Sequence, residues 1–195
     1  MLLLVIASPA ALAATIMVYG DSLSAGYGLP QDRGWVSLLK RRLHDERGDY
    51  RVINASVSGE TTLGGKKRIE AALRAHRPAI VVLELGANDG LRGQNLDAMR
   101  DNLDAMVLAC RKSGAAVLLV GMRLPPNYGA AYAKKFHTVF EEIARRRKLA
   151  FVPFLFEGFA DNRELFQADG IHPGENAQSK MLDTVWGALR PLLSR

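Results

Sequence analysis

Short apolar runs rich in β-branched residues alternate with amphipathic stretches along almost the whole chain. Ile80-Val81-Val82-Leu83 is the clearest run, and runs of this kind predict strands over 15–20, 51–57, 79–85, 115–121 and 149–154. Apolar positions at helical spacing predict helices over 34–46, 63–76, 95–113, 130–147 and 174–193. Strands that are apolar almost throughout belong to parallel sheets covered on both faces. Their alternation with helices predicts a three-layer, doubly wound α/β domain with five parallel strands. Helix punctuation agrees with this register: Pro30 and Asp32 precede the first helix, Gly48 and Pro78 follow the first and second, and Gly114 follows the third. With no linker, repeat or low-complexity tract, residues 14–195 are read as one domain.

The start of the chain follows a different pattern. Leu2 to Ala14 carry no charge and end in Ala11-Leu12-Ala13-Ala14, an apolar core followed by small residues. This predicts an export signal over residues 1–13, cleaved after Ala13, and hence a periplasmic or secreted protein. No Lys or Arg precedes that core, and the uncharged stretch reaching Gly20 is long enough for a membrane span. However, Ser8-Pro9 interrupts the stretch, and Ile16 to Ser22 are needed for the first strand.

Composition changes this picture little. Apolar residues make up 48% and charged residues 24%, as in ordinary globular proteins. The net charge of +6 arises partly from Lys40-Arg41-Arg42, Lys66-Lys67-Arg68 and Arg145-Arg146-Arg147-Lys148. Each cluster falls on a predicted helix, so these are read as solvated faces and no nucleic-acid partner is expected. A single cysteine, Cys110, lies in phase with Leu96, Met99, Leu103 and Met106, which predicts a buried thiol.

The candidate chemistry sits where the predicted strands end. Gly20-Asp21-Ser22 follows the first strand, Ser58-Gly59-Glu60 the second and Gly86-Ala87-Asn88-Asp89 the third. In a parallel sheet these ends converge on one edge, above which ligands bind. Asp169-Gly170-Ile171-His172-Pro173 precedes the last helix. A histidine three residues after an aspartate places Nδ1–H within reach of the carboxylate and leaves Nε2 facing outward. Ser22 needs such a base, since a serine hydroxyl is a poor nucleophile at neutral pH. Gly59 offers a backbone N–H, Asn88 a side-chain amide and Ser22 its own N–H for a developing oxyanion. Read singly, each of these is an ordinary turn residue. Together they form a nucleophile, a base and three donors. His44, His76 and His137 have no such setting, and no His or Cys cluster completes a metal site.

Taken in order and spacing, the four blocks resemble the SGNH, or GDSL, hydrolases over nearly the whole chain after Ala14. Glu84-Leu85-Gly86-Ala87-Asn88-Asp89-Gly90-Leu91-Arg92-Gly93 and Arg123-Leu124-Pro125-Pro126-Asn127-Tyr128-Gly129 are most similar to the bacterial thioesterase I, lysophospholipase L1 and arylesterase branch. The resemblance implies a flavodoxin-like sheet, a Ser22–His172–Asp169 triad and an oxyanion hole of Ser22, Gly59 and Asn88. It also implies hydrolysis of small acyl esters and thioesters, with membrane lipid only as a substrate, and no metal or organic cofactor. Glu60 departs from the family, where aspartate is common beside the hole. Leu124, Pro125, Pro126 and Tyr128 are expected to flank the acyl chain, with Leu91 and Ile171. A deacetylase acting on carbohydrate or acetyl esters, and a silent α/β binding module, stay open as alternatives. Glu84, an acid in an apolar strand, is expected to serve in a structural hydrogen bond rather than with Asp89 as a glycosidase pair.

Overall fold

A parallel sheet in the order β2-β1-β3-β4-β5 runs through the middle of the chain. The computed structural model describes residues 13–193, apart from the side chain of Pro126. The expected export segment therefore lies outside the described residues, except for Ala13. The strands are β1 (Ala14–Gly20), β2 (Tyr50–Asn54), β3 (Ile80–Glu84), β4 (Ala116–Val120) and β5 (Ala150–Val152). The helices are α1 (Ser22–Ala25), α2 (Trp35–Glu46), α3 (Thr62–His76), α4 (Ala87–Leu91), α5 (Leu96–Lys112), α6 (Ala130–Arg147) and α7 (Gln178–Leu189). α2 and α7 cover one face of the sheet, and α3, α5 and α6 cover the other. Ile16 to Tyr19 and Ile80 to Leu83 are buried from both sides, which is why their sequences show no alternation.

Where elements end differently from the sequence pattern, the causes are local. β2 stops at Asn54, whose side chain accepts from Ser56 N (3.2 Å) and donates to Ser24 O (2.8 Å). β5 stops before Pro153, which has no N–H for the ladder. The last helix is interrupted: Glu175–Ala177 and Arg190–Leu192 on either side of α7 are 3₁₀ turns. α1 and α4 are too short for a periodic pattern, yet they follow β1 and β3. Strand order reverses between these two neighbours, and that makes the crevice above them the place for a ligand.

Candidate active site

Ser22 is the first residue of α1, two positions past the end of β1. Asp21 caps that helix, its Oδ1 accepting from Leu23 N at 3.0 Å. The cap sets Ser22 at the rim, where its Oγ lies 2.8 Å from His172 Nε2. His172 Nδ1 lies 2.7 Å from Asp169 Oδ2. Asp169 Oδ1 accepts from the backbone N–H of both Ile171 (2.9 Å) and His172 (3.0 Å). Desolvation opposes ionisation of Asp169, but these backbone and imidazole hydrogen bonds outweigh it and hold its carboxyl down at about 2. A permanent carboxylate on Nδ1 leaves Nε2 as the acceptor for the Ser22 proton.

The loop that carries His172 is tied down by groups that the sequence did not single out. Gln167 N donates to His172 O (2.8 Å), and its side chain reaches Tyr27 O and Pro173 O. Buried Gln178 donates to Pro173 O and Gly174 O and accepts from Trp35 N. Tyr27 stacks at a tilt on the imidazole, with ring centroids 4.7 Å apart.

Of the expected oxyanion donors, Asn88 lines the same cavity as Ser22, whereas Gly59 is not part of that lining. Gly59 has φ +78°, a backbone that favours glycine, and turns the chain between β2 and α3. Arg92 spans two of the donors, its Nη2 reaching Gly59 O (3.2 Å) and Asn88 Oδ1 (3.3 Å). This orients the amide, so that Asn88 Nδ2 faces Asp21 Oδ2 (3.1 Å) and Glu60 O (3.0 Å). Binding an oxyanion requires one of these N–H groups to turn toward the substrate. Glu60 accepts from Asn88 through its main-chain carbonyl, while its side chain pairs with Arg68.

Two buried acids, Asp21 and Glu84, flank Gly20 next to Ser22. Glu84 Oε2 accepts from Ser24 Oγ at 2.7 Å, the structural hydrogen bond expected of it, while Oε1 is buried with no partner among the described residues. Burial raises its pKa well above the carboxylate range, and the neighbouring Asp21 charge raises it further. Burial also pushes Asp21 up to about 6, against the hydrogen bonds from Leu23 N and Asn88 and the proximity of His172. Glu84 has a single hydroxyl donor, whereas Asp21 has two N–H donors to hold a charge. Gly20 pairs with Glu84 across the sheet and leaves room for it, since a Cβ there would lie 2.6 Å from Glu84 Oε2. Asp89 binds Thr62 N (2.9 Å) and Thr62 Oγ1 (2.5 Å) at the start of α3, away from any pairing with Glu84.

A cavity of about 290 Å³ opens beside Ser22 and His172. Leu91, Pro125 and Ile171 line it, as expected for an acyl path. Leu124 and Tyr128 do not. Leu124 is buried with Phe136 beside Gly90, and Tyr128 donates its hydroxyl to Leu91 O (3.2 Å), bracing the segment behind the wall. The larger part of the wall is Met122, Phe154, Phe156 and Phe166, none of which the sequence reading named. Its signal was present: a phenylalanine-rich stretch after the last strand, at the edge where the other motifs meet. Among the described residues, no three His, Cys, Asp or Glu side chains converge as metal ligands. Cys110 is fully buried and its thiol is pushed up to about 12 by desolvation, so it takes no part.

Residues 18–179 match the GDSL-like lipase/acylhydrolase family. The chain belongs to that family. It is 49% identical over 192 residues to the esterase TesA of Pseudomonas aeruginosa, covering 98% of this chain and 96% of the relative. It is 36% identical over 185 residues to thioesterase 1/protease 1/lysophospholipase L1 of Escherichia coli, covering 95% and 88%. The crystal structure of TesA superposes with a TM-score of 0.89 at 49% identity, covering 91% of this chain and 99% of that one. As a GDSL hydrolase, the protein has the name motif of the family at Gly20-Asp21-Ser22-Leu23. Its aspartate is the buried cap that aims the serine and holds Asn88.

Proposed function

We propose that the protein hydrolyses carboxylic esters and acyl thioesters through an acyl-enzyme on Ser22. The observation that carries this is the continuous chain from Ser22 Oγ through the His172 ring to Asp169, at 2.8 and 2.7 Å, opening on an apolar cavity. Ser22 Oγ attacks the acyl carbonyl as its proton passes to His172 Nε2. The tetrahedral oxyanion is met by the N–H groups of Ser22 and Gly59 and by the Asn88 amide. His172 then gives its proton to the departing alkoxide or thiolate. In the second half, water attacks the acyl-enzyme, its proton goes to His172, and Ser22 leaves with that proton as the carboxylic acid forms. A phenylalanine-lined cavity suits an alkyl or aryl acyl group better than a sugar, which favours this reading over a carbohydrate deacetylase.

Asn88→Ala tests the oxyanion assignment. It is expected to lower kcat by about 10²–10³ with little change in KM. A change confined to KM would assign Asn88 to ground-state binding instead.

We extend the proposal to export, with cleavage after Ala13. Such a cut spares the fold: Ala14 is the first residue of β1 and its N–H already donates to Asp49 O at 2.8 Å. No helix among the described residues is long and apolar enough to cross a membrane. Intact-mass measurement of the protein recovered from periplasm or medium should give a chain beginning at Ala14. An uncut chain held in the membrane fraction would reject the export reading.

A further inference from the structure

Two of the oxyanion donors come from separate segments of the chain, and one side chain touches both. Asn88 is the second residue of α4, and Arg92 is the residue that ends it, its N–H donating to Asn88 O at 3.2 Å. Residues four apart on one helical turn share a face, so the Arg92 side chain lies beside that of Asn88. From there it reaches the turn between β2 and α3. Arg92 Nη2 donates to Gly59 O (3.2 Å) as well as to Asn88 Oδ1 (3.3 Å). A Cβ at position 59 would lie 3.7 Å from Nη2, so the guanidinium rests directly against this turn. Among the described residues no carboxylate shares the guanidinium, and its charge falls on these two neutral oxygens.

The two ends of the Asn88 amide are held differently. Nδ2 serves Asp21 Oδ2 (3.1 Å) and Glu60 O (3.0 Å), and meeting an oxyanion takes one of its N–H groups away from them. Oδ1 has no such second duty, so its bond from Arg92 competes with nothing. We infer that Arg92 is a positioning residue for the oxyanion hole, which keeps Asn88 and the Gly59 turn together while Nδ2 engages the substrate. Asp21 and Glu60 O cannot do this, because they accept from the very N–H groups that the oxyanion needs. A cationic donor on Oδ1 also strengthens Nδ2–H as a donor, since linked hydrogen bonds polarise one another. This rests on the ester-hydrolase reading above and adds to it the group that holds the hole in register.

The test uses p-nitrophenyl butyrate, an uncharged ester that offers a cation no anionic group to bind. It compares kcat and KM for the wild type, Arg92→Met, Asn88→Ala and the double variant. Methionine keeps an unbranched apolar stem and removes every donor. Arg92 is exposed, and melting temperatures verify that the variants fold, with Arg92→Ala as a second replacement. Arg92→Met should lower kcat by about 10–50-fold, less than the loss of about 10²–10³ for the donor it acts through, with KM within about twofold. In the Asn88→Ala background the same change should cost about threefold or less, because the amide it positions is gone. Unchanged kcat in Arg92→Met, or a change confined to KM, overturns the inference. An equal loss in both backgrounds overturns it too, since a loosened loop acts without regard to Asn88. So does a wild-type kcat in Asn88→Ala, which leaves Arg92 no donor to position. Butyrate hydrolysis that disappears in Ser22→Ala keeps the ester-hydrolase reading standing in all these cases. A wild type inert on every ester overturns both.

Discussion

Ser22→Ala should cut kcat on a p-nitrophenyl ester by about 10⁶, the order seen when a serine hydrolase loses its nucleophile. The loss is expected to be this large because the other groups act only through the serine oxygen. His172 Nε2 has its 2.8 Å partner in that oxygen, and among the described residues that line the cavity Ser22 has the only hydroxyl or thiol. The change removes one hydroxyl from a half-buried position and leaves the cap of α1, Asp21 Oδ1 on Leu23 N, untouched. Circular dichroism and melting temperature should therefore stay near wild type. Turnover within tenfold of wild type by a folded Ser22→Ala protein would remove Ser22 from the mechanism.

How far the sequence announces this site differs from residue to residue. Ser22, Asp169 and His172 are legible because each stands in a glycine-rich turn at the end of a readable strand or the start of a readable helix. The sheet is legible for a related reason: β1 and β3 are buried on both faces, and burial leaves an unbroken apolar run. The end of β2 is less sharp than the apolar pattern suggests: the strand ends at Asn54, yet Ala55 N and Val57 N still donate to Val18 O and Gly20 O of β1. Leu124 and Tyr128 show the limit more sharply. Their place after β4 puts them near the right edge, but the direction of a loop side chain depends on what packs beneath it. Here Gly90 leaves the space that Leu124 fills. Phe154 and Phe156 were missed for the opposite reason. The chain after Val152 has no period to follow, and only its aromatic density marks it as a wall.

Asp21 and Glu84 belong to a third class. Their residue types can be read, but which of two buried acids keeps a proton depends on contacts that only the fold creates. A buried Glu84 with one hydroxyl donor favours the neutral form, while Asp21 has Leu23 N and Asn88 to hold its charge. For both acids the folded pKa lies above the unfolded one. Their contribution to stability is therefore full below the carboxylate range and declines as pH rises, for Asp21 through about 6.

Asp169 has the opposite sign, and this shapes the second large effect. Asp169→Asn is expected to lower kcat by about 10⁴ with a much smaller effect on KM. An asparagine can still accept the backbone N–H groups of Ile171 and His172 through its oxygen, so the loop that carries His172 should keep its course. It cannot supply a charge at 2.7 Å from Nδ1, and its amide nitrogen would face that atom as a donor. The imidazole then takes the tautomer with the proton on Nε2, where it cannot accept one from Ser22. Because the wild-type carboxyl is held down at about 2, below its unfolded value, its stabilising charge is present above the unfolded pKa and is lost only as pH falls through about 2. Above about pH 4 Asp169 therefore stays ionised. Two results would contradict this account: a folded Asp169→Asn enzyme with near wild-type kcat, or an Asp169 carboxyl that takes up its proton above about pH 4.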